Sequence, residues 1–159
     1  MQYVALLRGI MPGNPAMRSD RLKAFFESLG FSRVRTVIGS GNVVFETAKK
    51  DPSAIEAAIE RALPKELGFK STAIVRSQRE MEALVKKDPF KGIKDEEPNY
   101  LIVTFFKDRK KELCTVIDLG SGRTPDFMRK IEKAHGKEIT TRTWKTVGRI
   151  LKKMGEEGA

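Results

Sequence analysis

The stretch that most limits what this chain can fold into runs from Val34 to Thr47, Val-Arg-Thr-Val-Ile-Gly-Ser-Gly-Asn-Val-Val-Phe-Glu-Thr. Two β-branched runs flank a Gly39-Ser40-Gly41-Asn42 break, the composition of two strands joined by a tight turn. Glycine and asparagine tolerate the positive φ that short hairpin turns demand. A hairpin here pairs locally and leaves its edges for the neighbouring segments to join. Upstream, Tyr3 to Arg8 is an apolar run that reads as a buried strand ending at Gly9. After a Pro/Gly/Asn loop, Leu22, Phe25, Phe26 and Leu29 share one helix face, with Ser19 or Asp20 to cap its start and Gly30 to end it.

Downstream of the hairpin, Ser53 and Glu56 have capping-box spacing ahead of an Ile55, Ala58, Ile59, Ala62, Leu63 stripe. Pro64 lacks an N–H and is expected to end or kink that helix. Ser71 to Arg76 reads as a fourth strand. The order βαββαβ, with short connections, predicts an antiparallel four-stranded sheet with both helices on one face, the ferredoxin-like arrangement.

A second capping box, Ser77 with Glu80, opens a helix that buries Met81, Leu84 and Val85 and stops at Asp88-Pro89. Residues 88–99 are charged and linker-like. Tyr100 to Phe106 is a strand apolar enough to be covered on both faces, and Leu113 to Leu119 is a second strand, broken by Gly120-Ser121-Gly122. Thr124-Pro125 starts a helix carrying Phe127, Met128, Ile131 and Ala134. Trp144, Val147, Ile150, Leu151 and Met154 mark a last amphipathic helix. The expected fold class is α+β. A ferredoxin-like half (1–87), a charged linker (88–99) and a shortened, related α/β half with basic C-terminal helices (100–159) form one compact unit.

Charge is the unusual part of the composition. The chain of 159 residues has a formal net charge of +10. Residues 107–153 hold 14 Lys and Arg against 6 Asp and Glu, so most of the excess belongs to the C-terminal third. Such a bias favours an anionic partner, nucleic acid or a phosphorylated small molecule, although lysine-rich surfaces also serve solubility alone. One cysteine, Cys114, precludes an intrachain disulfide and fits a reducing compartment. No window approaches about 18 apolar residues and no signal peptide opens the chain, so the expectation is a soluble cytoplasmic protein without a membrane span. The sequence is silent on oligomeric state.

Three segments resemble a known family when taken together. They are Tyr3-Val4-Ala5-Leu6-Leu7-Arg8-Gly9-Ile10, Val37-Ile38-Gly39-Ser40-Gly41-Asn42-Val43-Val44-Phe45 and Thr140-Thr141-Arg142-Thr143-Trp144-Lys145-Thr146-Val147. Their order and spacing are similar to domain-of-unknown-function family 1697, a widespread group of small bacterial proteins. The resemblance implies an α+β fold with ferredoxin-like halves and brings no activity, cofactor or catalytic residue. This chain departs from the family in having Met11 where Asn usually follows Arg-Gly-Ile, and in a shorter segment around Glu112.

Candidate ligand positions are few. Arg8 and Gly9 join a strand end to a helix start, where free N–H groups and the helix dipole favour anions. Gly120-Ser121-Gly122-Arg123 is a second such loop, without the Gly-Lys-Ser/Thr of a P-loop. Ser40 and Asn42 sit at the hairpin turn. Thr140-Thr141-Arg142-Thr143-Trp144 offers a guanidinium for phosphate and an indole for a base. In the competing reading the threonines cap a helix, Trp144 fills the interface between halves and Arg142 stacks over it. The site expectation is therefore Arg8, Gly9, Ser40, Asn42, Arg123, Thr141, Arg142 and Trp144 for an anion or ligand. A lone His135 and lone Cys114 give no multi-ligand metal site, and no nucleophile elbow surrounds Ser40 or Ser121. No metal, cofactor or catalytic residue is expected. Three functions stay open. The preferred one is a non-catalytic protein whose basic surface binds an anionic partner. The others are an enzyme holding a phosphorylated metabolite between the halves through Arg8, Asn42 and Arg142, and a structural protein without a ligand.

Overall fold

In the computed structural model the first apolar run is strand β1 (Gln2–Leu7), buried from Tyr3 onward. Alternate side chains of a strand point to opposite faces, so an unbroken apolar run needs a core on each side. Tyr3, Ala5 and Leu7 enter one core, Val4 and Leu6 the other. The structure describes the chain except residues 12, 39–40, 97–98, 108–111, 119–123, 137 and 157–159, and the side chains of 117–118, 124–128 and 135.

The hairpin consists of β2 (Ser32–Val37) and β3 (Asn42–Glu46), closed by the Val37–Asn42 pair. Ile38 and Gly41 bound its turn at φ 56° and 85°. Strand β4 (Ala73–Ser77) completes an antiparallel sheet in the order β2-β3-β1-β4. Helices α1 (Ser19–Ser28) and α2 (Pro52–Glu66) cover one face, burying Leu22, Phe25, Phe26, Ile55, Ile59 and Leu63 against Phe45 and Tyr3. Each such side chain contributes roughly 1.5–3 kcal/mol on burial.

Three local expectations need correction. Arg18, not Ser19 or Asp20, is the N-cap of α1 and makes no side-chain capping bond. Asp51 caps α2 by accepting from the Ser53 amide, and Glu56 serves other partners than a capping box. It is buried and accepts the Val75 amide at 2.8 Å, while Glu60 accepts that of Ala73 at 3.0 Å. The two glutamates thereby occupy donors along β4, which is an edge strand. Pro64 lies inside α2 without ending it. The helix runs only two residues further, so the missing N–H costs a single bond in its last turn.

The other face of the sheet meets the rest of the chain. Helix α3 (Gln78–Lys86) opens on the expected Ser77–Glu80 capping box. A second antiparallel sheet, ordered β6-β5-β7, contains β5 (Asn99–Phe106), β6 (Leu113–Asp118) and β7 (Ile139–Thr143). Helix α4 (Thr124–His135) lies between β6 and β7 in the chain, and α5 (Trp144–Gly155) follows β7 directly. Strand β7 was not foreseen, because the polar run Thr140-Thr141-Arg142 resembles the approach to a helix more than a strand. Val4, Leu6, Val44 and Ile74 pack against Met81, Leu84, Leu101, Val103, Phe105, Val147 and Ile150 in a core common to both sheets. Phe90 joins this core, so the charged 88–99 stretch is anchored by at least one buried ring.

Helix α5 is held at both ends. Thr143 Oγ1 accepts the Thr146 amide at its start. At its finish, Arg35 donates to the Lys153 carbonyl, Arg33 to Glu156 and Gln2 to Met154, at 2.8, 3.1 and 2.8 Å. These side chains come from β1 and β2 and satisfy carbonyls that a helix end leaves open. Among the described residues, no helix is long and apolar enough to cross a membrane.

Candidate functional site

The structure brings Asn42, Thr141 and Arg142 together, with Arg8 beside them. Arg142 extends from β7 to the first sheet and is only 9% exposed. Its Nε donates to Asn42 Oδ1. Nη1 donates to Thr140 Oγ1 at 2.6 Å and to the Thr141 carbonyl at 2.8 Å. Nη2 donates to the Leu7 carbonyl at 2.8 Å and to that of Gly41 at 3.5 Å. A guanidinium has five N–H donors, and all five are engaged within the chain. No carboxylate is among these partners, and burial pushes the guanidinium down to about 10. Asn42 is itself buried and donates to the Val37 carbonyl at 2.9 Å. Arg142 therefore fastens the second sheet to the turn end of the hairpin. It does not stack on Trp144.

Arg8 stands nearer the surface. It pairs with Glu132 of α4 and donates to the Ile139 carbonyl at 3.3 Å. With Gly9, Lys70, Ser71 and Thr72 it lines an open groove of about 390 Å³. Gly9 has φ 75°, as a residue leaving a strand in a tight turn needs. The Ser71 hydroxyl donates to the Arg8 carbonyl at 2.9 Å. Ser40, the Gly120-Ser121-Gly122-Arg123 loop and the His135 side chain lie outside the described residues. Among the described residues, no group of three or more His, Cys, Asp or Glu could hold a metal ion.

The third feature is the outer face of α5. At 100° per residue, Val147, Ile150 and Met154 point to the core, and Lys145, Gly148, Arg149 and Lys152 emerge on the opposite side, all exposed. The helix sequence Trp-Lys-Thr-Val-Gly-Arg-Ile-Leu-Lys-Lys-Met-Gly contains no acid. Lys153 lies on the flank and pairs with Glu156 at 3.1 Å. Trp144 is half-buried on the other flank, edge-to-face with Phe90 at 5.2 Å. Gln2 links Gln78 at the start of α3 to Met154 at the end of α5, so the two packed helices run antiparallel. Exposed Lys86 and Lys87 thus close α3 at the Trp144 end. Of this face, the site expectation held only Trp144. Its signal was legible in the i, i+4, i+7 spacing of Lys145, Arg149 and Lys152.

The model of a family described as "Protein of unknown function (DUF1697)" matches residues 1–134. No curated protein matches the chain. Among solved structures, the conserved bacterial protein SP0830 from Streptococcus pneumoniae is similar over 98% of each chain, with a TM-score of 0.76 and 17% identity. At that identity the likeness speaks for the fold alone.

Proposed function

The chain belongs to the DUF1697 family, and for this member we propose a non-catalytic binding role in which the outer face of α5 meets an anionic partner, nucleic acid before a small phosphorylated ligand. The observation that carries this reading is the line of Lys145, Arg149 and Lys152 on an exposed helix face without a single acid. A helix rises about 1.5 Å per residue, so these cations span roughly 10 Å. That length suits several phosphates of a polymer better than one phosphate group. Anchoring at both ends keeps the cations in register, which lowers the entropy lost on binding.

The alternative, a phosphorylated metabolite held by Arg8, Asn42 and Arg142, receives less support. Arg142 directs every N–H at protein acceptors and Asn42 is buried beneath it. What remains for a small anion is the Arg8–Lys70 groove, where Arg8 already has Glu132.

As to architecture, we read the first sheet with α1 and α2 as a ferredoxin-like half, supported by the strand order β2-β3-β1-β4. The second sheet is its shortened counterpart, with 1–87 and 100–159 as the halves and 88–99 between them. The single free cysteine is the feature that supports reading the protein as cytoplasmic.

The test is fluorescence anisotropy of a labelled single-stranded oligonucleotide across salt concentrations. Three phosphate contacts predict a log–log slope of about −2. The Lys145→Glu/Arg149→Glu/Lys152→Glu variant should lose binding at every salt concentration. Equal affinity of variant and parent would overturn the reading.

A further inference from the structure

Gly148 stands in the middle of α5, where glycine costs about 1 kcal/mol relative to alanine. A close neighbour would explain such a residue, but a Cβ built there meets no atom within 4 Å. Its φ is not positive either, so no turn or cap requires it. Packing and backbone geometry therefore both leave the glycine unexplained. A helical residue neighbours the one four positions earlier, and for Gly148 that is Trp144. Gly148 is open to solvent, and Trp144, one turn earlier on the same helix, is only half-buried, so part of the indole is exposed beside the basic line. The buried Phe90 packs edge-to-face against the indole at 5.2 Å. Lys145 and Arg149 border the gap.

We propose that the Trp144–Gly148 notch receives a base of single-stranded nucleic acid, whose phosphates follow Lys145, Arg149 and Lys152. The inference rests on the binding role proposed above and narrows its partner. Single strands present unpaired bases that stack on aromatic rings irrespective of sequence, whereas a duplex keeps its bases inside. A ring set beside cations on a fixed helix suits the first of these. Substituting a large side chain at Gly148 fills the notch and removes no charge, so it separates base docking from phosphate attraction.

Trp144 is the only tryptophan in the chain, so its emission reports on this notch alone. The experiment titrates the parent and Gly148→Leu proteins with oligothymidylate of about ten nucleotides, with the same sequence as a duplex, and with inorganic polyphosphate. Oligothymidylate should quench Trp144, and Gly148→Leu should bind it roughly tenfold more weakly, within the range of one lost stacking contact. Polyphosphate should bind both proteins equally without quenching. Circular dichroism should show Gly148→Leu folded, since position 148 is open. Salt-dependent oligothymidylate binding with no quenching, or with equal affinity for both proteins, would overturn the notch and leave the basic face standing. Failure of every polyanion to bind would remove both.

Discussion

Arg142 Nη2 donates to the Leu7 carbonyl at 2.8 Å, bonding a strand of the second sheet to the end of the central strand of the first. The two residues lie 135 positions apart, and the Gly41 and Asn42 acceptors on the hairpin share the same guanidinium. Removing it takes a donor from several buried acceptors at once. We expect Arg142→Ala to cost about 3 kcal/mol or more, since each unsatisfied buried group costs about 1–3 kcal/mol. Arg142→Lys should recover only part of this, because an ammonium offers three donors from one point and not five from a plane. Urea denaturation of the three proteins checks both values.

The charge on Arg142 also sets a pH dependence. Burial lowers its folded value to about 10, so above that pH the unfolded chain keeps a proton that the native one has begun to lose. Stability attributable to this group therefore rises with pH, and only above about 10. Between pH 6 and pH 9 both states keep the proton. The destabilisation caused by Arg142→Ala should accordingly be the same at these two values. A difference above about 1 kcal/mol would show that the guanidinium titrates lower.

Two glycines should respond in opposite ways to alanine. At Gly41, φ is +85° and an added Cβ would come within 2.6 Å of Ile10 Cγ1 and 3.1 Å of the Leu7 carbonyl oxygen. Gly41→Ala should cost about 2 kcal/mol, combining left-handed strain with the clash. Gly148→Ala, in an open helical position, should gain up to about 1 kcal/mol. Thermal denaturation of the pair decides it.

Glu56 and Glu60 occupy the Val75 and Ala73 amides on the edge strand β4. Glu56→Ala should cost about 1–3 kcal/mol by removing the carboxylate that accepts a buried amide. Replacing both glutamates should also expose an edge open to strand pairing. Light scattering during mild heating should then rise earlier than for the parent.

Cys114 is partly buried against the shared core, and burial, with Glu112 nearby, raises its thiol above the usual range. The thiolate is the reactive form. Maleimide labelling at neutral pH should therefore be slow in the native protein and fast in urea.

Local patterning made much of this fold legible. The β-branched runs around Gly41 became β2 and β3, the Leu22–Phe25–Phe26 stripe became the buried face of α1, and Ser77 with Glu80 formed their capping box. What escaped depends on partners distant in the chain. Strand β7 is polar because Thr140 and Arg142 serve another sheet, although its β-branched Ile139, Thr140, Thr141 and Thr143 were a strand signal. Glu56 looks like a capping residue until the edge of β4 arrives beside it. For the candidate site, Arg142 and Asn42 were singled out as ligand groups, yet the structure engages them with each other. The basic line on α5 was visible as charge, but its place on an exposed face emerges only once the core side of the helix is known.

The most direct measurement of the central claim is amide chemical-shift mapping of the protein titrated with a short single-stranded oligonucleotide. The account predicts the largest shifts from Trp144 to Lys152 on α5, with Lys86 and Lys87 following. Shifts confined to Arg8, Gly9 and Lys70–Thr72, or none at saturating oligonucleotide, would contradict it.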